Sequence, residues 1–298
     1  MCDATRPGPL AVWWLATRPK TLPAAVLPVF IGGVLARADG VFVWPPWLAA
    51  LAGALLIQIG TNFTNDLCDF LKGTDDADRI GPRRATQAGW VSPARMRVAV
   101  IVVFMLAVLV GVYLVMRGGW PVVAIGLASI ACGVLYTAGP RPLGYLGLGD
   151  LFVLLFYGPV AVGGTYYVVT LDMTAAVLAL SVPPALMATA VLAVNNLRDV
   201  DSDRRTGKRT LAVRLGRGFA RAEYVTLIAV AALFPLLFAF GPAGRPWVAL
   251  TLLVLPAAWP VARRVLRETD GPALNEALAA TGRLMLLYGL LFAIGWSL

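Results

Sequence analysis

Three stretches of this chain, residues 98–115, 122–138 and 224–240, run for about 17–18 residues without a charged side chain. At about 1.5 Å of rise per helical residue, that length spans or nearly spans a bilayer core of roughly 30 Å. Composition shows how far the constraint extends. Of 298 residues, 59% are hydrophobic and 14% charged, whereas a soluble domain carries about 25% charged residues. The chain therefore reads as an all-α membrane protein. Nine transmembrane helices are predicted, at 21–36, 46–65, 98–116, 120–138, 149–169, 174–198, 220–240, 246–262 and 279–297. Residues 1–298 are expected to form a single transmembrane domain. Residues 10–16, with Trp13 and Trp14 beside Arg18 and Lys20, suit a short helix lying in the membrane interface. No cleavable signal peptide is expected, because the first apolar run leads straight into further spans.

The distribution of cations sets the predicted orientation. With the N-terminus placed in the cytoplasm, nine spans put all but Arg37, Arg117 and Arg245 of the 25 Lys and Arg on the cytoplasmic side. The net charge of +9 is thus read as topology, with anionic headgroups and an anionic substrate as partners, and nucleic acid is not expected. A multi-pass protein of the cell membrane follows. Cys2, Cys68 and Cys132 form no CxxC pair and suggest neither a disulfide framework nor a zinc site. The chain has no histidine, which removes His metal ligands, His acid–base catalysis and haem ligation by His.

Two predicted cytoplasmic loops, at about 66–97 and 199–219, are long, polar and charged, and are expected to be ordered caps. They hold Asp66, Asp69, Asp75, Asp76, Asp78, Asp199, Asp201 and Asp203. Each begins with N-x-L-x-D at the end of an apolar span, from Asn65 to Asp69 and from Asn195 to Asp199, which hints at an internal duplication. If the helices continue, Asn62, Asn65, Asp66 and Asp69 share one broad face. Asn195, Asp199 and Asp203 likewise form a stripe, beside Asn196. Carboxylates so close repel, and at a membrane helix end they need compensation. Oxygen donors without His or Cys favour Mg²⁺, Mn²⁺ or Ca²⁺. Asp66, Asp69, Asp199 and Asp203, with Asn195, are the expected ligands of two Mg²⁺, between which a diphosphate could bind. The bland alternative is that these carboxylates merely pair with loop arginines.

The cations following the clusters are candidates for gripping diphosphate: Lys72, Arg79, Arg83 and Arg84, then Arg204, Arg205, Lys208 and Arg209. Tyr136 and Arg141 lie at the same predicted membrane side. Asp150 reads equally as a helix N-terminal charge or as a catalytic group.

At these residues the sequence resembles the UbiA superfamily of intramembrane prenyltransferases, and most of all its 1,4-dihydroxy-2-naphthoate polyprenyltransferase branch. The likeness rests on Asn65-Asp66-x-x-Asp69 and on Asn195-Asn196-x-x-Asp199-x-x-x-Asp203. Arg18-Pro-Lys-Thr-Leu-Pro23, Asp78-Arg79-Ile-Gly-Pro-Arg-Arg-Ala-Thr-Gln87 and Gly207-Lys208-x-Thr210 carry the branch. One departure stands out. The wider superfamily often continues its first motif as D-x-x-x-D, whereas here Asp69 is followed by Phe70, Leu71, Lys72 and Gly73, and Asp75 and Asp76 lie farther on.

The resemblance implies a nine-helix bundle around a central cavity, a polyprenyl diphosphate donor and 1,4-dihydroxy-2-naphthoate as acceptor. The implied product is demethylmenaquinone, formed through its quinol with loss of CO₂. Asn62, Asn65, Asn195 and Asn196 would join the substrate site. Tyr136 would stabilise an allylic cation, and Lys20, Lys72 or Arg141 would hold the acceptor carboxylate. Another aromatic acceptor, such as 4-hydroxybenzoate, is the nearest alternative. An ion-coupled transporter is a rival of a different class; it calls for carboxylates near the bilayer midplane, whereas here they stand at span ends.

Overall fold

The structure is a computed structural model that describes residues 7–73, 81, 83–240 and 244–298. Among these residues every regular element is helical. Lipid leaves few other choices for a spanning segment, because backbone N–H and C=O groups must be satisfied within it. We number the helices α1 (Pro9–Ala16), α2 (Pro23–Ala38), α3 (Trp44–Leu71), α4 (Pro93–Gly118), α5 (Trp120–Leu135), α6 (Gly149–Thr170), α7 (Ala175–Arg205), α8 (Leu211–Ala239), α9 (Pro246–Arg267) and α10 (Gly271–Ser297).

Each predicted span falls on one of α2 to α10, though length and composition alone qualify fewer than nine of them as crossings. Seven helices are long and apolar enough to cross a membrane, or eight if Pro9–Thr21 and Pro23–Ala38, bent by 58°, make one span. Trp120–Leu135 is apolar but short; 16 residues rise about 24 Å, less than a typical hydrocarbon core. The helix ends also overrun the predicted spans. Hydropathy marks only the lipid-facing part, whereas capping sets the true starts. Ser92 before Pro93, Thr210 before Leu211 and Asp270 before Gly271 each accept a hydrogen bond from the backbone N–H three residues on. At their C-terminal ends, α3 runs to Leu71 and α7 to Arg205. The Asp motifs therefore stand on helix, and the non-helical parts of the two caps are shorter than the predicted loops.

Helix α7 is the axis of the bundle, with 72% of its most apolar window buried. It packs most extensively on α8, and also meets α2, α6 and α10. Met187, Ala190, Ala193 and Leu197 of α7 share one core with Leu27 and Ile31 of α2 and with Leu274, Tyr288 and Phe292 of α10. Close approach needs small residues: a Cβ on Gly32 of α2 would lie 2.7 Å from the Val162 carbonyl oxygen of α6. Helix α6 is interrupted by a π-helical stretch, Phe156–Gly163, kinked at Gly158 just before Pro159.

A smaller core joins Val12 and Ala16 of α1 to Phe63 and Leu67 of α3 and to Ala85, Val91 and Met96. Leu10, Trp14 and Leu15 on the other side of α1 are exposed, as an interfacial helix requires. Phe292 is 1% exposed and stacks between Tyr288 and Trp296, so Phe292→Ala is expected to cost about 3–5 kcal/mol. Thermal unfolding in detergent should show the loss, with substrate KM unchanged.

Candidate active site

Helix α3 turns Asn62, Asn65 and Asp69, spaced three and four residues apart, toward one cavity. Each is held from outside the helix. The Asn62 amide donates to the Thr17 carbonyl at 2.9 Å, tying down the turn after α1. Asn65 Oδ1 accepts from the Thr137 hydroxyl, and Lys72 Nζ reaches the Thr137 carbonyl at 2.5 Å. The end of α3 is thus stapled to the turn after α5. Asp69 is buried and ion-paired to Arg84 at 2.7 Å, and it accepts from the Tyr145 hydroxyl at 3.3 Å.

Helix α7 brings the second cluster. Arg198, buried in the protein, grips Asp199 with Nε and Nη2 at 2.7 and 2.6 Å. It also donates to Asn195 Oδ1 at 2.8 Å and to Asn275 Oδ1 at 2.7 Å. Asp203 is paired with Lys208 at 3.7 Å and lies within electrostatic reach of Asp199 and Asp69. Tyr145 joins the two halves: Lys72 Nζ lies 5.0 Å and Lys208 Nζ 5.4 Å from its ring centroid. Its carbonyl accepts from the Arg209 backbone N–H at 3.0 Å.

The cavity has a volume of about 620 Å³. Its polar end is formed by Asn62, Asn65, Asp69, Arg84, Asn195, Asn196 and Lys208. The rest is mostly apolar, with Val112, Val115, Ile130, Phe152, Phe156 and Val160 among its lining, interrupted by polar groups such as Gln58, Ser129 and Tyr157. Tyr136 stands on the wall near the polar end, within electrostatic reach of Asp150, Asp203 and Asp69.

Other expected residues are placed elsewhere. Lys20, Arg83, Arg141 and Arg209 are exposed and do not line the cavity; Lys72 is exposed and engaged with the Thr137 turn. Arg79, Asp75 and Asp76 lie outside the described residues. Asp201 pairs with Arg217 at 2.7 Å on the surface. Asp150 is buried at the start of α6 and hydrogen-bonds Glu223. Asp66 is 2% exposed, is not on the wall, and accepts from the backbone N–H groups of Ala85 and Thr86 at 2.9 and 3.1 Å. Sequence reasoning gave no role to Tyr145 or Arg198. The one visible signal was position: Arg198 sits inside the second motif, and Tyr145 three residues after Pro142 in the turn that joins α5 to α6.

The family profile described as "UbiA prenyltransferase family" matches residues 25–296. This chain belongs to the UbiA prenyltransferase family. It is 36% identical over 295 residues to the 1,4-dihydroxy-2-naphthoate octaprenyltransferase of Haemophilus influenzae, covering 96% of each chain. It is 39% identical over 289 residues to the enzyme of the same name from Escherichia coli, covering 95% of this chain and 94% of that one. In fold it is similar to a UbiA homologue from Archaeoglobus fulgidus solved with GPP and Mg²⁺, with a TM-score of 0.67 at 15% identity over 96% of this chain and 100% of the other.

The donor set around the polar end fits a hard divalent cation. Asp69 and the amide oxygens of Asn65 and Asn195, on the cavity wall, and Asp199 and Asp203, which like Asp66 are off it, supply oxygen alone. Among the described residues no three carboxylates are gathered tightly enough to cage an ion by themselves. That suits Mg²⁺, which takes one or two carboxylates, keeps waters and shares substrate phosphates.

Proposed function

We propose that this UbiA-family protein transfers a polyprenyl group from its diphosphate to 1,4-dihydroxy-2-naphthoate, with loss of CO₂, to give demethylmenaquinol. The observation that carries the reading is the meeting of two Asn/Asp-bearing helix ends, on α3 and α7, at the cationic mouth of a mostly apolar cavity. The full-length likeness to naphthoate octaprenyltransferases supports the acceptor.

Asp69, Asp199, Asp203 and Asn195 are the proposed holders of two Mg²⁺, with Mn²⁺ as a substitute. When bound, the cations supply charge neutralisation to the departing diphosphate. Arg84 and Lys208, on the cavity wall, are the proposed binders of phosphate oxygens, with Lys72, exposed and held to the Thr137 turn beside Tyr145, within reach of the same mouth if it lets go of that turn. The apolar wall excludes water while the allylic C–O bond breaks and the electron pair leaves with diphosphate. Tyr136, on the cavity wall, is the proposed cation–π partner of the allylic cation. The ring carbon bearing the carboxylate then bonds to the prenyl carbon. Loss of CO₂ returns an electron pair to the ring, so no side chain has to remove a ring proton. This agrees with a chain that has no histidine. Each CH₂ of the tail gains about 0.8 kcal/mol in an apolar surrounding, which draws the tail down the cavity toward lipid.

The membrane arrangement is part of the proposal: nine crossings, N-terminus and active-site mouth cytoplasmic. It is supported by the concentration of cations at the mouth's end of the bundle. Arg117 lies at the other end, donating to the Val168 and Val169 carbonyls at 3.4 Å.

Mass spectrometry of the product from purified protein, 1,4-dihydroxy-2-naphthoate and a prenyl diphosphate tests the reading. The expected mass is that of the prenylated naphthoquinol without its carboxyl group. A prenylated product that keeps the carboxyl, or turnover with 4-hydroxybenzoate alone, would overturn it.

A further inference from the structure

We infer that Asp66 is a positioning residue and not a metal ligand: it holds the 84–86 backbone so that Arg84 is presented to Asp69 and to the diphosphate. The inference rests on the prenyl-diphosphate reading above and reassigns a carboxylate that the motif alone groups with the metal site.

Helix geometry comes first. At about 100° per residue, Asp66 is turned roughly 70° from the centre of the stripe made by Asn62, Asn65 and Asp69. Those three line the cavity; Asp66 does not, as Asp199 and Asp203 do not, but Asp66 alone of these has both carboxylate oxygens taken by backbone amides of another segment. Its neighbours Phe63 and Leu67 instead face the small core shared with Ala85, Val91 and Met96. A carboxylate that is 2% exposed there must be satisfied from within the protein. It is: Oδ2 accepts from Ala85 N at 2.9 Å and Oδ1 from Thr86 N at 3.1 Å. Two successive amides aimed at one anion form a built backbone cradle.

The residue immediately before that cradle is Arg84. Its Nη1 donates to the Asn65 carbonyl at 2.7 Å and pairs with Asp69 Oδ2 at 2.7 Å. Arg84 also lines the cavity. A side chain with many rotamers is most useful to a substrate when its backbone is fixed. Asp66 supplies that fixing from the back of α3, and Asn65 and Asp69 supply it from the front.

The test compares Asp66→Asn with Asp69→Asn in purified protein. Mn²⁺ binding is read by paramagnetic resonance in the presence of an unreactive prenyl thiolodiphosphate. Amide hydrogen exchange reports on the segment 84–91, and donor KM and kcat are measured alongside. Asp66→Asn keeps one acceptor and loses the other. It is expected to leave Mn²⁺ affinity within about threefold, and to raise donor KM about tenfold with a smaller change in kcat, the worth of one misplaced charge-assisted hydrogen bond. Exchange at residues 85 and 86 should rise about tenfold. Asp69→Asn should lose Mn²⁺.

In an Arg84→Met background the effect of Asp66→Asn on KM should vanish, because coupled residues are not additive; a merely structural role would persist there. Loss of Mn²⁺ by Asp66→Asn to the extent seen in Asp69→Asn would make Asp66 a ligand and end the inference. Unchanged KM with faster exchange would end it too. If Asp66→Asn does not fold, Asp66→Ser, which also keeps one acceptor, is read the same way. Should the wild-type protein bind no Mn²⁺, the metal reading fails, while exchange and the Arg84 cycle still judge Asp66.

Discussion

Asp69→Asn is expected to lower kcat by about 10²–10³-fold or more, the usual cost of removing one preorganised electrostatic group from a reacting centre. Asp69 is where both halves of the site converge. It receives Arg84 and Tyr145, and its field reaches Asp203 on α7. The amide replacement keeps the shape and removes the charge.

It also removes the 2.7 Å ion pair that Asp69 makes with Arg84, which is 9% exposed. Breaking a buried pair from one side costs about 3–5 kcal/mol. Stability and chemistry can therefore be separated. Asp69→Asn alone should melt at lower temperature, whereas Asp69→Asn with Arg84→Met should recover much of the thermal midpoint and none of the turnover. An active double variant would show that the charge at Asp69 serves folding alone.

Chelation should bring turnover to background without unfolding the protein. Each carboxylate at the mouth already has a basic partner: Arg84 on Asp69, Arg198 on Asp199 and Lys208 on Asp203. The fold has its own counter-charges and does not depend on an ion for neutrality. The reaction differs, because a departing diphosphate adds negative charge that these three cations, already paired, offset only in part. Excess EDTA is thus expected to abolish product formation while the thermal midpoint stays within about 2 °C, roughly the shift that 1 kcal/mol produces in a chain of this size. Mg²⁺ should restore turnover. Full activity in EDTA would remove the divalent cation from the mechanism, and a large drop in midpoint would show that the pairs do not suffice.

Much of this architecture was open to inspection in one dimension. Uncharged runs located the helices, and i, i+3 and i, i+4 spacing put Asn62, Asn65, Asp66 and Asp69 on one broad face, of which all but Asp66 line the cavity. Their ends and their number were less visible. Capping by Ser92, Thr210 and Asp270 extends three helices beyond their apolar parts. Hydropathy cannot say whether the 16-residue Trp120–Leu135 crosses alone.

The cations were the hardest to sort. Lys20, Arg83, Arg141 and Arg209 have the same local sequence character as Arg84 and Lys208, yet only the latter two line the cavity. Asp66 and Asp69 are indistinguishable as members of one motif. Three residues of helix rotation, and a pair of amides from a segment almost 20 positions away, give them different surroundings.

By itself, then, the sequence determined that the chain lives in lipid, that it is helical, and that two of its helix ends are acidic and amide-rich. Burial cost and backbone hydrogen bonding act over a few turns, so their signature is local and legible. Only the tertiary structure decided which carboxylates face the cavity, which arginine meets which aspartate, and that Tyr145 bridges the two motif loops. Those facts depend on where separate helices meet, and a charged side chain looks the same in sequence whether it meets water, a backbone amide or a substrate.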